Sequence, residues 1–120
     1  ECFLPIMLTQ VNKGNLTLEQ LCRLMSENIC KLFGLYPQKA CISIGSDADF
    51  CIVDMKKKYQ LSIARMFSKA RECNELFDQM DCQGSIEHTI IRGRVVFAEG
   101  VVDDSAKGHG QYVARHKPLG

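Results

Sequence analysis

The sequence has little of what marks a membrane, secreted or nucleic-acid-binding protein. Its longest uninterrupted apolar run, Phe3 to Leu8, is far shorter than the roughly 20 residues that a membrane-spanning helix needs. Fifteen Lys and Arg residues against fourteen Asp and Glu residues give a formal net charge of +1. This balance provides neither the basic excess typical of nucleic-acid binding nor an acidic, disordered tract. The chain also opens without a visible secretory signal.

The spacings that metal sites and disulfide frameworks use are missing as well. Seven cysteines are many for 120 residues, but their number is odd and no two form Cys-x-x-Cys. Several lie in apolar patterns, which favours reduced cysteines packed as small hydrophobic residues, with structural zinc or disulfides as the alternatives. Reduced thiols predict a cytoplasmic location. The seven are Cys2, Cys22, Cys30, Cys41, Cys51, Cys73 and Cys82.

No catalytic or metal-binding signature is recognisable. The three histidines, His88, His109 and His116, form neither His-x-His nor His-Glu-x-x-His. Asp47 and Asp49 could chelate a cation, yet no further carboxylate completes a calcium loop, and turn hydrogen bonds are the simpler role. The glycines compose no phosphate-binding motif. We therefore expect no catalytic, cofactor-binding or metal-ligating residue in this chain.

The first third of the chain has the pattern of loop and helix. The apolar stretch Phe3 to Leu8 leads into a connector at 12–15 that contains Gly and Asn. Helical spacing then predicts one helix from Leu18 to Ser26 and a second that begins at Ser26 or Asn28 and ends before Gly34. These two helices are expected to form a hairpin-like pair.

Beyond Pro37 the period changes to that of short strands. Cys41 to Ile44 and Phe50 to Val53 predict two consecutive strands, and Lys56 to Lys58 a solvated turn. Ser62 is expected to cap a brief helix that ends at Met66.

The last third predicts a long loop, a hairpin and a tail. Residues 68–84 show no sustained period and are expected to form an irregular loop. Two β-branched runs, 86–91 and 95–98, flank a glycine-containing turn and predict a β-hairpin. Residues from Asp103 onward are expected to run extended, with little to hold them.

The passages Phe33 to Lys39 and Ile44 to Asp54 resemble the cyclic amidohydrolases, the branch that contains hydantoinase, dihydropyrimidinase, allantoinase and dihydroorotase. The resemblance covers nearly the whole chain, and one departure is Asn28-Ile-Cys-Lys31, where the family usually has Asn-Pro-Ala-Lys. The tail, Gly108 to Arg115, is most similar to the hydantoinase and dihydropyrimidinase type. The other matching stretches are Val11 to Glu19, Ser68 to Ala70 and Thr89 to Val96.

The resemblance implies an α+β fragment of a larger fold. Its helices would be the terminal helices of a (β/α)8 metal-dependent hydrolase barrel, and its strands the C-terminal strands of a composite β-sandwich. By this mapping 1–37 holds the last helical elements of the barrel. Residues 38–104 hold the C-terminal half of the sandwich, with a long loop at 68–84, and 105–120 form an extended tail.

The resemblance also implies the C-terminal segment of a hydrolase of cyclic amide C–N bonds. The family uses two divalent metals, expected to be zinc, held by four histidines, a carbamylated lysine and an aspartate. These ligands are expected upstream of Glu1, so this chain alone should hydrolyse nothing and hold no cofactor. The expected partners are the missing barrel portion and further copies in a homo-oligomer, without nucleic acid or membrane. The loops that select the substrate ring lie outside this chain.

Two further hypotheses remain. The chain can belong to a non-catalytic, dihydropyrimidinase-related scaffold or interaction protein, in which the metal-binding residues of the barrel would be replaced. Its short tail favours the enzyme, because the scaffold relatives typically carry a long basic extension. A free-standing, cysteine-rich metal module is the third hypothesis, and stoichiometric zinc bound by thiolates would support it.

Overall fold

The computed structural model describes residues 1–115 and contains helices followed by strands. Helix α1 is followed by a longer helical segment, in which α2 and α3 are joined by the π-helical turn Arg23–Glu27. None of the described helices is long and apolar enough to cross a membrane. The elements are α1 (Phe3–Asn12), α2 (Leu18–Cys22), α3 (Asn28–Leu32), β1 (Phe50–Gln60), β2 (Asp81–Ile91), β3 (Arg94–Ala98) and β4 (Val101–Val102), with 3-10 turns at Ile63–Arg65, Arg71–Phe77 and Asp104–Ala106.

The strands form one sheet in the order β1-β2-β3-β4. Strands β2 and β3 are antiparallel, with His88 opposite Ala98 and Ile91 opposite Arg94, and their register shifts between Thr89 and Ile90. The tight β2–β3 and β3–β4 turns have left-handed residues at Arg92-Gly93 and Glu99-Gly100. Positive φ at both central residues is what two-residue hairpins of matching twist require. The predicted hairpin is therefore confirmed.

The contacts divide the chain into two units that are discontinuous in sequence. The first unit holds Glu1–Leu18 and Val53–Ile86, and the second holds Glu19–Ile52 and the described residues from Glu87 onward. The predicted ranges 1–37, 38–104 and 105–120 refer to a larger fold and stay a prediction.

In the first unit, helix α1 contacts strand β2 at a glycine. Leu8 is 1% exposed, and a Cβ built on Gly84 would lie 2.7 Å from the Leu8 Cβ. Real Cβ contacts essentially never come that close, so the helix reaches the strand only because residue 84 has no side chain. Gly84 also has a φ of +108°, a conformation that disfavours any L side chain.

A buried threonine adds polar contacts to this helix–strand interface. The Thr9 hydroxyl donates to the Pro5 carbonyl over 2.8 Å and accepts from the Gln83 backbone N–H over 3.0 Å. The Asn12 side-chain amide donates to the Gln83 carbonyl over 3.1 Å. Thr9 is 4% exposed, so its two hydrogen bonds satisfy a hydroxyl that would otherwise be costly to bury.

The core of the first unit lies beside this interface. Four buried side chains form it, and burial raises the pKa of the adjoining Tyr59 to about 12. Glu1 closes one end, since its carboxylate oxygens accept the backbone N–H groups of Phe67 and Ser68 over 3.0 and 2.7 Å. The four are Cys2, Leu61, Met66 and Cys82.

The helix predictions are partly wrong. The predicted connector at 12–15 begins one residue too early, because helix α1 extends from Phe3 to Asn12, with Pro5 in its first turn, where its missing N–H costs nothing. The hairpin-like pair is one helical segment, since Asn28 keeps a helical backbone at φ −63° and ψ −39°. Its predicted end is confirmed, because Gly34 follows at φ +69°.

Three of the strand and loop predictions need correction. Cys41 to Ile44 belongs to no strand of the described chain, whereas β1 continues from Phe50 through the three lysines to Gln60. The predicted turn at 56–58 is therefore wrong. The three lysines lie on a solvated edge strand, where charged side chains are tolerated. The expected irregular loop 68–84 contains the Arg71–Phe77 turn and the beginning of β2. The brief helix after Ser62 is confirmed as the 3-10 turn Ile63–Arg65, but the Ser62 side chain makes no capping hydrogen bond to it.

The cysteine prediction holds for two of the seven residues. Cys2 and Cys82 are buried in the first unit's core, where they pack as small hydrophobic groups. Cys30 and Cys41 are half-buried. The expectation of burial is wrong for the three exposed residues, Cys22, Cys51 and Cys73.

Replacing Gly84 with alanine should destabilise the chain by about 2–5 kcal/mol, since the new methyl adds a backbone strain and a clash with Leu8. Gly14 is the matched control, because it also has a positive φ of +78° but has open space around it. Gly14→Ala should cost only about 1–2 kcal/mol. Urea denaturation measures both, and equal losses would contradict the close helix–strand contact.

Candidate functional site

The stretch that most resembles the cyclic amidohydrolases folds into a loop in the second unit, fastened by Asp47 and Asp49. Asp47 donates its backbone N–H to the Gln38 carbonyl over 2.9 Å, and the Asp49 N–H donates to the Asp47 carbonyl over 2.8 Å. The Gln38 side chain donates to the Asp47 carboxylate over 3.2 Å. These bonds agree with the turn role predicted for the two aspartates.

Lys39 lies between the two carboxylates. Its Nζ is 2.9 Å from Asp47 Oδ2 and also contacts Asp49 Oδ2, and its side chain is only 19% exposed. A half-buried lysine shared by two carboxylates is a stronger tie than an exposed ion pair, because fewer waters compete for the charges. The sequence did not single out Lys39, since no spacing rule links a lysine to aspartates eight and ten residues later.

The same loop is tied to the turn between β2 and β3. The Arg92 backbone N–H donates to Asp49 Oδ1 over 2.8 Å, and the Gly93 N–H donates to the Ala48 carbonyl over 2.9 Å. Asp49 thus joins Lys39 on one side to the hairpin turn on the other. We name Lys39, Asp47, Asp49 and Arg92 the lysine–aspartate cluster.

The charge of Lys39 acts on its neighbour. Its hydrogen bond, with smaller help from the Gln38 amide, holds the pKa of Asp47 below the ordinary value of 3.8. Asp47 therefore stabilises the folded state while it is ionised, and this contribution is lost as the pH falls through its folded pKa.

A second polar group surrounds Cys41. Its thiol donates to the Ser43 hydroxyl over 3.2 Å, the Ser43 and Ser46 hydroxyls are 2.9 Å apart, and Ser46 donates to the Pro37 carbonyl over 2.8 Å. The Ser43 hydroxyl, and after it Tyr36 and Ser46, holds the pKa of the Cys41 thiol below its ordinary value. The hydrogen-bond partners of this group are two serine hydroxyls and a backbone carbonyl, an arrangement that indicates local loop structure rather than nucleophilic catalysis.

The beginning of the tail is held by hydrogen bonds, contrary to expectation. Arg94 Nη2 is 2.9 Å from Asp103 Oδ2 and donates to the Ser105 hydroxyl over 2.6 Å. The Arg92 guanidinium donates to the His109 carbonyl, and His109 Nε2 lies 2.9 Å from the Ile91 carbonyl. The tail is therefore fixed to the β2–β3 hairpin as far as residue 109.

The side chains of the two histidines that the structure describes, His88 and His109, lie apart from the hydrogen bonds that form the lysine–aspartate cluster. His88 lies in β2 and the His109 ring contacts the Ile91 carbonyl, while His116 lies outside the described residues. Within residues 1–115 no group of three or more His, Cys, Asp and Glu side chains could hold a metal ion. The hydrogen bonds of the lysine–aspartate cluster and of Cys41 hold loops in place.

Comparison with known sequences gives consistent matches. The amidohydrolase family model matches residues 3–96. An L-hydantoinase of Paenarthrobacter aurescens is 42% identical over 96% of this chain and 25% of its own length. A dihydropyrimidinase of Rattus norvegicus is 39% identical over 88% of the chain and 20% of its own length. A dihydroorotase of Methanothermobacter thermautotrophicus is 34% identical over 94% and 25%, respectively.

Solved structures give the same result. The L-hydantoinase from Arthrobacter aurescens matches with a TM-score of 0.73 and 40% identity, over 82% of this chain and 22% of that one. A D-hydantoinase matches with a TM-score of 0.71 and 27% identity, over 82% and 21%. The chain thus spans a quarter or less of the length of the relatives that it matches.

Replacing Lys39 with methionine should destabilise the chain at pH 7 and move its acid unfolding to higher pH. The difference between the two proteins should begin to shrink as the pH falls below 3.8, the ordinary Asp47 pKa, and should disappear below the lower pKa of folded Asp47, because a protonated Asp47 no longer attracts Lys39. Lys107→Met is the control, because Lys107 pairs with Asp104 at 82% side-chain exposure and should contribute little. Denaturation between pH 2 and 7 measures this. A loss of stability that is the same at every pH would contradict the role of the charge.

Proposed function

This chain belongs to the amidohydrolase family, and on that basis we propose that it is a structural segment of a hydantoinase- or dihydropyrimidinase-like hydrolase of cyclic amide C–N bonds. The identity of about two-fifths to an L-hydantoinase, extending over nearly the whole chain, carries this proposal. The fold supports it, since the same part of a solved L-hydantoinase superposes on the α+β arrangement of helices and strands. By itself the chain would hydrolyse nothing.

Members of this family are metal-dependent, so the proposed hydrolase would need a site for its metals. The described residues 1–115 hold no group that fits a metal ion, and the aspartates that could have served, Asp47 and Asp49, bind Lys39 instead. On this proposal the chain would leave the metal ligands to the rest of the polypeptide. The chain would instead contribute a surface that packs against the catalytic part of the polypeptide, which would hold the divalent metals.

We place the chain in the C-terminal part of that hydrolase. Helices at 3–32 would close the metal-bearing barrel, and the strands from Phe50 to Val102 would belong to the adjoining β-sandwich. Exposed apolar side chains on the helical segment support a contact of this kind, among them Leu24 (56%), Leu32 (76%) and Phe33 (58%). Such residues on one stretch of helix are typical of a surface that packs against another part of a protein.

Two further proposals concern the partners of the chain and its cellular compartment. The partners would be the remainder of the same polypeptide and further copies in a homo-oligomer, because a segment of this size with exposed apolar residues gains most from assembly. The compartment would be the cytoplasm, since an odd number of cysteines without regular spacing suits a reducing environment.

Expressing the complete reading frame that contains this sequence tests the proposed function. The complete protein should open hydantoin or dihydropyrimidine rings, lose this activity with a chelator and regain it with zinc, whereas the 120-residue chain should have no activity. The metal-binding histidines and lysine should lie before Glu1. Their replacement, together with an inactive complete protein, would favour the non-catalytic scaffold. Ligands encoded after Gly120 would contradict the C-terminal placement.

A further inference from the structure

Glu1 and Cys2 are both bound to a segment of the first unit that lies 66 to 72 residues later in the sequence. Glu1 Oε1 accepts the Phe67 backbone N–H over 3.0 Å, and Glu1 Oε2 accepts the Ser68 N–H over 2.7 Å. The Cys2 thiol donates to the Asn74 side-chain carbonyl over 3.2 Å. We name these three contacts the entry clamp, because they hold the point at which the chain enters helix α1.

The segment that the clamp binds is itself ordered. Residues 67–70 lie between two 3-10 turns and outside the strands of the described sheet, so their backbone N–H groups need acceptors other than a strand partner. The ionised Glu1 carboxylate supplies two, and hydrogen bonds to a charged acceptor are the stronger kind. The Ser68 hydroxyl accepts the Ala70 N–H over 3.2 Å, and its carbonyl accepts the Arg71 N–H over 3.2 Å. The clamp therefore joins helix α1 to a hydrogen-bonded turn.

The helix that follows the clamp is also fixed. Cys2 is 9% exposed, and its carbonyl accepts the Ile6 N–H over 3.1 Å in the first turn of α1. Further along, Leu8 packs against Gly84. A residue that precedes Glu1 is bonded covalently to it, so the clamp determines where the preceding polypeptide joins this unit.

We propose that Glu1 is a positioning residue for hydrolysis, which acts through the entry clamp by holding the end of the catalytic part of the polypeptide against this chain. This inference rests on the proposed function, which places the catalytic part before Glu1. Two side chains beside the clamp support it, since Phe3 is 61% and Phe67 59% exposed and a segment arriving at Glu1 would cover them. Displacing catalytic groups by about 1 Å can lower a rate by about 100-fold.

The experiment uses the complete protein that contains this sequence and measures the opening of hydantoin and dihydropyrimidine rings. Glu1→Ala removes both acceptors and should lower kcat by about tenfold or more, with KM changed by less than about threefold. Glu1→Gln keeps one side-chain oxygen, so its loss of kcat should be smaller, because one of the two N–H groups still has an acceptor. Amide exchange at Phe67 and Ser68 should be faster in both variants than in the unaltered protein.

Asp78→Ala is the matched control, because the Asp78 carboxylate accepts the Ile63 backbone N–H over 3.0 Å in the same unit but belongs to no contact of the entry clamp. It should leave kcat unchanged. Glu1 variants with an unchanged kcat, or with a loss no larger than that of Asp78→Ala, would overturn this inference and leave the proposed function intact. If Glu1→Ala does not fold, Glu1→Gln decides between these outcomes. An unaltered complete protein that opens neither ring would contradict the proposed function, and with it this inference.

Discussion

The close approach of Leu8 to Gly84 is the contact on which the first unit depends. Helix α1 is ten residues long, which is marginal for an isolated helix in water, so its stability comes from packing against the strand. The glycine permits this packing, and the Thr9 hydroxyl accepts the backbone N–H of the preceding residue, Gln83. With the helix in place, Cys2 reaches the core formed by Leu61, Met66 and Cys82.

The second unit is held together differently. Among its described residues, Leu21 is the one fully buried hydrophobic side chain, which is far too little apolar burial to stabilise a unit of this size. Ion pairs and hydrogen bonds take the place of a core. They are made by the lysine–aspartate cluster and by the guanidinium groups of Arg92 and Arg94. A unit that is held by hydrogen bonds and ion pairs and that exposes apolar side chains is typical of a segment of a larger fold.

The sequence predicted the features that local physics determines. The hairpin followed from two β-branched runs around a glycine turn, and the end of the helical segment from Gly34. It could not predict that β1 continues through the lysines, because edge position is a property of the assembled sheet. The lysine–aspartate cluster was also beyond reach, since Lys39 meets Asp47 and Asp49 only through the fold of the loop. At 41–44 the pattern predicted a strand, whereas the described chain has none there.

Solvent exposure of the helical segment, compared between the isolated chain and the complete protein, tests the central claim most directly. Hydroxyl-radical labelling followed by mass spectrometry reads the exposure of Leu24, Leu32 and Phe33 in both. The account predicts strong labelling in the isolated chain, where these side chains are 56%, 76% and 58% exposed, and protection of at least about tenfold in the complete protein. Equal labelling in the two would contradict the claim that this chain is a structural segment of a larger hydrolase.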